Sequence, residues 1–383
     1  MENKIINICF VNATNPNFEG GVILFIKNLV NYIKSLKKDV KITWIYGGKE
    51  NKTYTLEEVN YIEIKIPKIL FLRDFIFNKK VSIFLKNKKF DIINSHALSG
   101  HWMNTYKKRF NQKITHTYHG ITFPYYKVHL KRFNLIKRIF LSPLLLYSYL
   151  IEKPPIKKAD KIICVSEKVK KQLKNLYKSK REMNVLRTGV NLEEFKPRNK
   201  EETRKKLNLE KDKLYGLHIG KGGYWIKGLD RAVKISQEIY KKNKNYRLII
   251  VGAERNKIKH LMGEDFILYK EKVPRNKISF YYNSADFFFC LSRYEGGAPT
   301  LVVSEAMASG CPIIFSKDSK QEIIEDEKNG LIINKFEEED AKRIIKTLNK
   351  KKKKQEIIKN SIKTIKNISL DKWGKEYINV LLE

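Results

Sequence analysis

Short runs of β-branched and aromatic residues alternate with longer amphipathic stretches almost from one end of this chain to the other. No other feature restricts the fold as much. A buried strand needs only a short continuous apolar run and a surface helix an apolar residue every three or four positions, so this alternation leads to βαβ units and parallel sheets. Strands are expected near 5–11, 40–45, 61–66, 91–95, 114–118, 161–165 and 185–187, with helices filling most of the gaps. A second series is expected near 215–219, 247–251, 266–269, 286–290, 312–315 and 331–333. The polar segment Phe195-Lys-Pro-Arg-Asn-Lys200 separates the two series and is the expected linker. The expected architecture is therefore α/β: two doubly wound parallel-sheet domains, 1–196 and 197–367, then a last segment, 368–383, that reads as a capped helix.

A length of 383 residues suits two such domains, and 42% apolar residues supply enough material for two cores, which excludes a disordered or disulfide-stapled chain. The balance of 78 Lys and Arg against 41 Asp and Glu leaves a formal charge of +37. Such a field favours an anionic partner, whether nucleic acid, an anionic leaflet or a phosphorylated small molecule, although lysines spread this evenly also suit a plain solvated surface. Cys9, Cys164, Cys290 and Cys311 lie far apart in or beside apolar runs and read as buried reduced thiols. The first apolar run is broken by Asn7, unlike a signal peptide, and the region 135–151 carries Lys137, Arg138, Ser142 and Pro143, too short and too polar to span a bilayer. A cytoplasmic protein is expected, with peripheral attachment to the inner membrane face left open.

Three glycine-containing turns carry the chemistry. In Tyr294-Glu-Gly-Gly-Ala-Pro-Thr-Leu301, a strand runs through a Gly-Gly turn to Pro299 at a plausible first helical position. The backbone amides from Gly296 to Leu301 would then be donors at a helix N-terminus, where a phosphate fits. Glu295 and Glu305 flank the turn, and carboxylates beside a phosphate site suit the hydroxyls of a ribose or sugar. A nucleotide-sugar satisfies both features; the alternative is an ordinary strand-turn-helix with Glu305 on the surface. In Gly220-Lys-Gly-Gly-Tyr-Trp-Ile-Lys-Gly228, Lys221 and Lys227 follow the first strand of the second series, where doubly wound sheets bind ligands, and two cations there can neutralise a diphosphate. Surface lysines on a glycine turn would look the same. Gly20 and Gly21, after the first strand, would let backbone approach a ligand or simply make a flexible turn. His96, His101, His116 and His119 cluster in sequence, but their places on different elements speak against a shared metal; His119 is better placed to meet a substrate hydroxyl, although a lone histidine there is more often structural. The stretch 125–141 mixes basic with aromatic and aliphatic residues at helical spacing, fitting either an element lying on an anionic membrane or a core-facing helix with a wet basic face. No nucleic-acid motif accompanies it, so nucleic acid is disfavoured.

These residues together resemble the family 4 retaining glycosyltransferases, also described as glycosyl transferases group 1. The resemblance runs through nearly the whole chain: Gly20-Gly21-Val22, His119-Gly120, Ala159 to Ser166, Arg187 to Pro197, Lys221 with Lys227-Gly228, Ala285-Asp286, and Glu295 through Gly310. It implies the GT-B fold, two Rossmann-like domains facing a cleft, with the last helix crossing back to the first domain. It also implies transfer of a sugar from a nucleoside diphosphate sugar to an acceptor hydroxyl, with retention and without an obligatory metal or other cofactor. The acceptor class implied is a glycan or lipid-linked glycan. His119, Lys221, Lys227 and Glu295 would act at the reacting centre. Gly21, Gly220, Lys272, Val273, Gly296, Gly297, Ala298, Pro299, Thr300, Leu301 and Glu305 would bind the donor, Glu305 through the ribose. Two departures stand out: the position of Lys221 is more usually Arg, and Glu295 lies ten residues before Glu305 where eight is common, which puts Gly297 at the expected register. Rival readings are a nucleotide-sugar epimerase or phosphorolytic enzyme on the same fold, and a non-enzymatic polyanion- or membrane-binding protein.

Overall fold

A computed structural model describes residues 5–18, 20–36, 39–220, 223–319 and 321–383. The chain divides into two compact units, 1–187 with 371–383, and 188–370. The second unit begins at Thr188 rather than at 197, because Val190 and Phe195 are buried in its core. The polar look of 196–200 reflects an exposed segment beyond that anchor, which leads into the helix Lys200–Lys206.

The first unit contains β1 (Ile6–Asn12), β2 (Val40–Gly48), β3 (Lys52–Leu56), β4 (Val59–Lys65), β5 (Ile92–His96), β6 (Lys113–Tyr118), β7 (Lys161–Cys164) and β8 (Asn184–Val185). They form one sheet in the order β3-β4-β2-β1-β5-β6-β7-β8, parallel except for β3 against β4. Helix α1 (Gly21–Ser35) follows β1 and buries Ile23, Phe25, Ile26, Leu29, Val30 and Ile33, the spacing of an amphipathic helix. Two consecutive helices, α2 (Leu135–Leu141) and α3 (Pro143–Lys158), lie between β6 and β7. Most of the C-terminal helix Leu370–Leu382 belongs to this unit: Trp373 meets Phe25 with ring centroids 4.7 Å apart, and Tyr377 donates from its hydroxyl to Asn94 Oδ1 at 3.0 Å.

In the second unit β9 (Leu214–Ile219), β10 (Tyr246–Val251), β11 (Ile267–Lys270), β12 (Phe287–Cys290), β13 (Ile313–Ser316) and β14 (Leu331–Ile333) form an all-parallel sheet in the order β11-β10-β9-β12-β13-β14. Numbered within the unit this is 3-2-1-4-5-6, the doubly wound dinucleotide-binding order, whose direction reverses between the first and fourth strands. β12 and β13 are buried throughout, as strands covered on both faces must be. Helix α4 (Leu229–Lys242) follows β9, and α5 (Leu301–Ala308) follows β12. Asp286 ties the two switch strands together at their start: its Oδ2 accepts the Tyr215 amide and Arg204 Nη2, each at 2.8 Å.

Candidate active site

Reversal of strand order opens a crevice beyond the carboxyl ends of β9 and β12, and the loops leaving those two strands carry most of the residues singled out in the sequence. From β9 the chain runs through Gly220 and Gly223 to Lys227 and Gly228; Lys221 lies outside the described residues. Gly228 has φ +71°, and a Cβ there would come within 2.0 Å of the Leu291 carbonyl oxygen. Only glycine lets this turn press against the end of β12, and that approach aims Lys227 at the β12 loop. Lys227 Nζ donates to Glu295 Oε1 at 2.9 Å, so the cation from one switch strand is held by the carboxylate from the other. Beneath them sits His218, lining a recess with Gly220, Tyr224, Lys227 and Glu254. Burial and the nearby Lys227 push its pKa down to about 4. Its Nδ1 is buried with no hydrogen-bond partner among the described residues.

Beyond Glu295 and Gly296 the backbone turns at Gly297, φ +87°, whose carbonyl accepts the Glu322 amide at 2.9 Å. Ala298 is buried and Pro299 stands one residue ahead of the N-cap, Thr300, so the helix opens at Leu301 and Pro299 is not its first residue. Nor are all the amides of 296–301 free: Thr300 N donates to Gln321 Oε1 at 3.2 Å. Thr300 Oγ1 and Ser304 Oγ are buried without partners among the described residues.

Glu305, one turn into α5, is 1% exposed, which removes the surface alternative. Its Oε1 takes a hydrogen bond from Arg275 Nη2, and its Oε2 one from the Tyr282 hydroxyl at 3.2 Å. Burial raises its pKa above the ordinary carboxylate value against the pull of Arg275. A carboxylate offers about four lone-pair sites, so these two bonds leave capacity for ligand hydroxyls. Arg275 follows the β11 loop, where Lys272 is exposed and Val273 packs on the core; its guanidinium lies 4.8 Å from the centre of the Phe195 ring.

In the first unit, Gly20 caps α1 and Gly21 opens it, neither with positive φ; a Cβ at Gly21 would meet nothing within 4 Å. Position 21 therefore does not need glycine for its geometry, whereas a Cβ at Gly20 would come within 2.8 Å of the Phe18 ring. His96 and His119, at the ends of β5 and after β6, share a hydrogen bond of 3.0 Å between Nδ1 and Nε2, and Ser95 Oγ lies 2.7 Å from His116 Nδ1. Burial drives His116 and His119 down to about 3 and His96 well below its ordinary value, so all three are neutral imidazoles. Phe25 packs edge-on against His119, ring centroids 4.5 Å apart. Among the described residues no three metal-ligating side chains converge.

Arg275, Tyr282, Gln321 and His218 belong to this constellation and were not singled out in the sequence. Only His218 had a signal there, one residue before the strand end that precedes Gly220.

Comparison with known proteins bears on both units. Solved structures share this fold over nearly the whole chain. Sucrose-phosphate synthase from Thermosynechococcus elongatus has a TM-score of 0.79 at 18% identity, covering 98% of each chain. WaaG, a glycosyltransferase involved in lipopolysaccharide biosynthesis, has 0.77 at 15%, covering 98% of this chain and 99% of its own. Anabaena Alr3699/HepE in complex with UDP-glucose has 0.71 at 14%, covering 98% and 99%. The fold is GT-B. Residues 19–194 match the sequence profile of Glycosyltransferase Family 4, and residues 199–364 that of Glycosyl transferases group 1. The chain belongs to the family 4 glycosyltransferases. Spore coat protein SA of Bacillus subtilis is 28% identical over 223 residues, 52% of this chain and 58% of that protein. An uncharacterized glycosyltransferase of Methanocaldococcus jannaschii is 25% identical over 361 residues, 92% of each. The chain thus spans little more than half of the first of these relatives and nearly all of the second.

Proposed function

We propose that this protein transfers a sugar from a nucleoside diphosphate sugar to an acceptor hydroxyl, with retention at the anomeric carbon, in building a glycan or lipid-linked glycan. The carrying observation is the Lys227–Glu295 pair, 2.9 Å across the switch point, at the mouth of a helix N-terminus with Glu305 one turn behind it. The neighbour that holds UDP-glucose supports a nucleotide-sugar donor for this site.

In this reading the ribose hydroxyls donate to the free lone pairs of Glu305, and the base lies against the backbone of Lys272 and Val273. The diphosphate takes the α5 N-terminus, Lys227 and Lys221, and in accepting Lys227 it competes with Glu295 for the ammonium. Glu295, released in part, turns to the sugar hydroxyls with the loop 296–301. As the bond from the anomeric carbon to the diphosphate oxygen breaks, negative charge grows on the leaving phosphate, and the fixed cation and helix dipole stabilise it. The acceptor oxygen bonds to the same carbon and its proton passes to a leaving-phosphate oxygen. Neutral His119 is suited to hydrogen-bonding a substrate hydroxyl without repelling an oxocarbenium-like centre. No divalent cation is assigned, because Lys227 and the helix terminus supply positive charge beside the leaving phosphate.

The test is transfer of labelled sugar from UDP-, GDP-, ADP- and dTDP-sugars by the parent and Lys227→Ala. Loss of one charge donor at the leaving group should lower turnover by about 10²-fold or more with the fold intact. Unchanged turnover would remove Lys227 from the reaction, and interconversion of donor sugars without any transfer would favour an epimerase.

A further inference from the structure

Between Asp91 and Glu152 the chain has no acidic residue and nine Lys and Arg, and Glu152 itself is buried. The helix α2 lies inside this span. Asn134 caps it, its Oδ1 accepting the Lys137 amide at 3.0 Å, and Arg138 fastens its flank to the Lys131 and Phe133 carbonyls at 2.7 and 2.8 Å. It is a defined helix, yet none of its residues is buried. Leu135, Ile136, Ile139 and Phe140 are 70%, 79%, 65% and 81% exposed. Leu135 with Ile139 and Ile136 with Phe140 stand four residues apart, which sets all four on one stripe. α3 adds Leu146 and Leu150, also four apart and both more than half exposed. An amphipathic helix in a folded protein normally turns such a stripe inward; this one presents it to the outside, and the charged residues within the helix, Lys137 and Arg138, are both cations. Contiguous exposed apolar side chains mark an interaction surface.

We propose that α2 and the outer side of α3 seat the first unit on an anionic bilayer surface. Leu135, Ile136, Ile139 and Phe140 enter the boundary between headgroups and acyl chains, and Lys131, Arg132, Lys137 and Arg138 meet lipid phosphates. A bilayer is the partner that satisfies both halves of the pattern, since its interface offers acyl depth to the stripe and negative charge to the flanks. A nucleic acid would leave the large aliphatic residues in water, and an uncharged apolar partner would leave the cations unmatched. The assignment uses no donor-binding residue and stands apart from the sugar-transfer reading.

The full chain is sedimented with phosphatidylcholine vesicles with and without phosphatidylglycerol, and with duplex DNA as a competing polyanion. Binding is expected only to the phosphatidylglycerol vesicles. Ile136→Ser/Phe140→Ser should weaken it by about tenfold or more, at unchanged thermal midpoint because both side chains are already in water. Lys137→Gln/Arg138→Gln should weaken it and flatten its salt dependence. Phe140→Trp should be quenched by brominated acyl chains, which reads insertion directly. Vesicle binding equal in parent and serine variant would overturn the proposal, as would Phe140→Trp fluorescence unaffected by brominated lipid. So would DNA binding that falls with the same serine substitutions, or a dimer of the free protein that those substitutions dissolve.

Discussion

Replacing Arg275 by Met strips the main counter-charge from Glu305 and leaves its carboxylate, 1% exposed, with the Tyr282 hydroxyl at 3.2 Å as its hydrogen-bond partner. Breaking a fully buried ion pair costs about 3–5 kcal/mol, most of it the isolated charge left behind. Arg275 is itself 41% exposed, so water can partly replace it, and the expected loss falls to about 2 kcal/mol. The loss depends on pH. Burial already raises the Glu305 pKa, and without Arg275 it rises further, so the variant's folded state keeps its proton to higher pH than the unfolded chain does. Protonation relieves the buried charge, so the damage should be larger at pH 8 than at pH 5. Hydrogen exchange of the α5 amides reads this unit alone, and 2 kcal/mol corresponds to exchange about 30-fold faster through local opening. Glu305→Gln in the Arg275→Met background should recover most of the loss, a coupling of about 1–3 kcal/mol in the double-mutant cycle. Equal loss at both pH values, or a coupling below about 0.5 kcal/mol, would show that the pair does not hold α5.

Gly228→Ala combines a positive φ with a Cβ 2.0 Å from the Leu291 carbonyl oxygen, so it should destabilise the second unit by about 2 kcal/mol or more and displace Lys227; an unchanged urea midpoint would refute the close approach. Glu152, buried at 2%, has its pKa raised to about 7 by burial, so the folded state disfavours its charge and stability falls as pH rises from the ordinary 4.5 through 7. Glu152→Gln should therefore stabilise the chain by about 3 kcal/mol above pH 7 and by nothing below pH 4.5; equal stabilisation at pH 8 and pH 4.5 would contradict the buried carboxyl. His96, His116 and His119 act with the opposite sign: their folded pKa values lie below 6.5, so their stability is present above pH 6.5 and lost as pH falls towards 3. Melts between pH 7 and 5 should show the first unit weakening on acidification by about 1.4 kcal/mol per pH unit for each proton not offset by Glu152, and flat melts would mean that the histidines titrate normally.

What the sequence disclosed, and what it hid, follows from the range over which each interaction acts. Strand runs such as Phe287–Cys290 and Ile313–Ser316 are visible because two covered faces demand unbroken apolar residues, and the order of strands and helices follows. β3 escaped notice because Lys52–Leu56 is an exposed edge strand of mixed character. The hairpin joining it to β4 turns on Glu57 and Glu58, φ +47° and +64°, where Asn-Gly would have announced such a turn. Lys227 and Glu295 were each legible from glycines in their own loops. Their pairing was not, since 68 residues separate them and only the 3-2-1-4 strand order makes β9 and β12 neighbours. Arg275 had no local mark at all, being one basic residue among 78 Lys and Arg. The fourfold stripe of Leu135, Ile136, Ile139 and Phe140 shows the same limit from the other side. Its periodicity is plain in the sequence, but the side to which it turns is decided by what the rest of the fold leaves uncovered, and only accessibility in the folded chain separates a core helix from an outward-facing one.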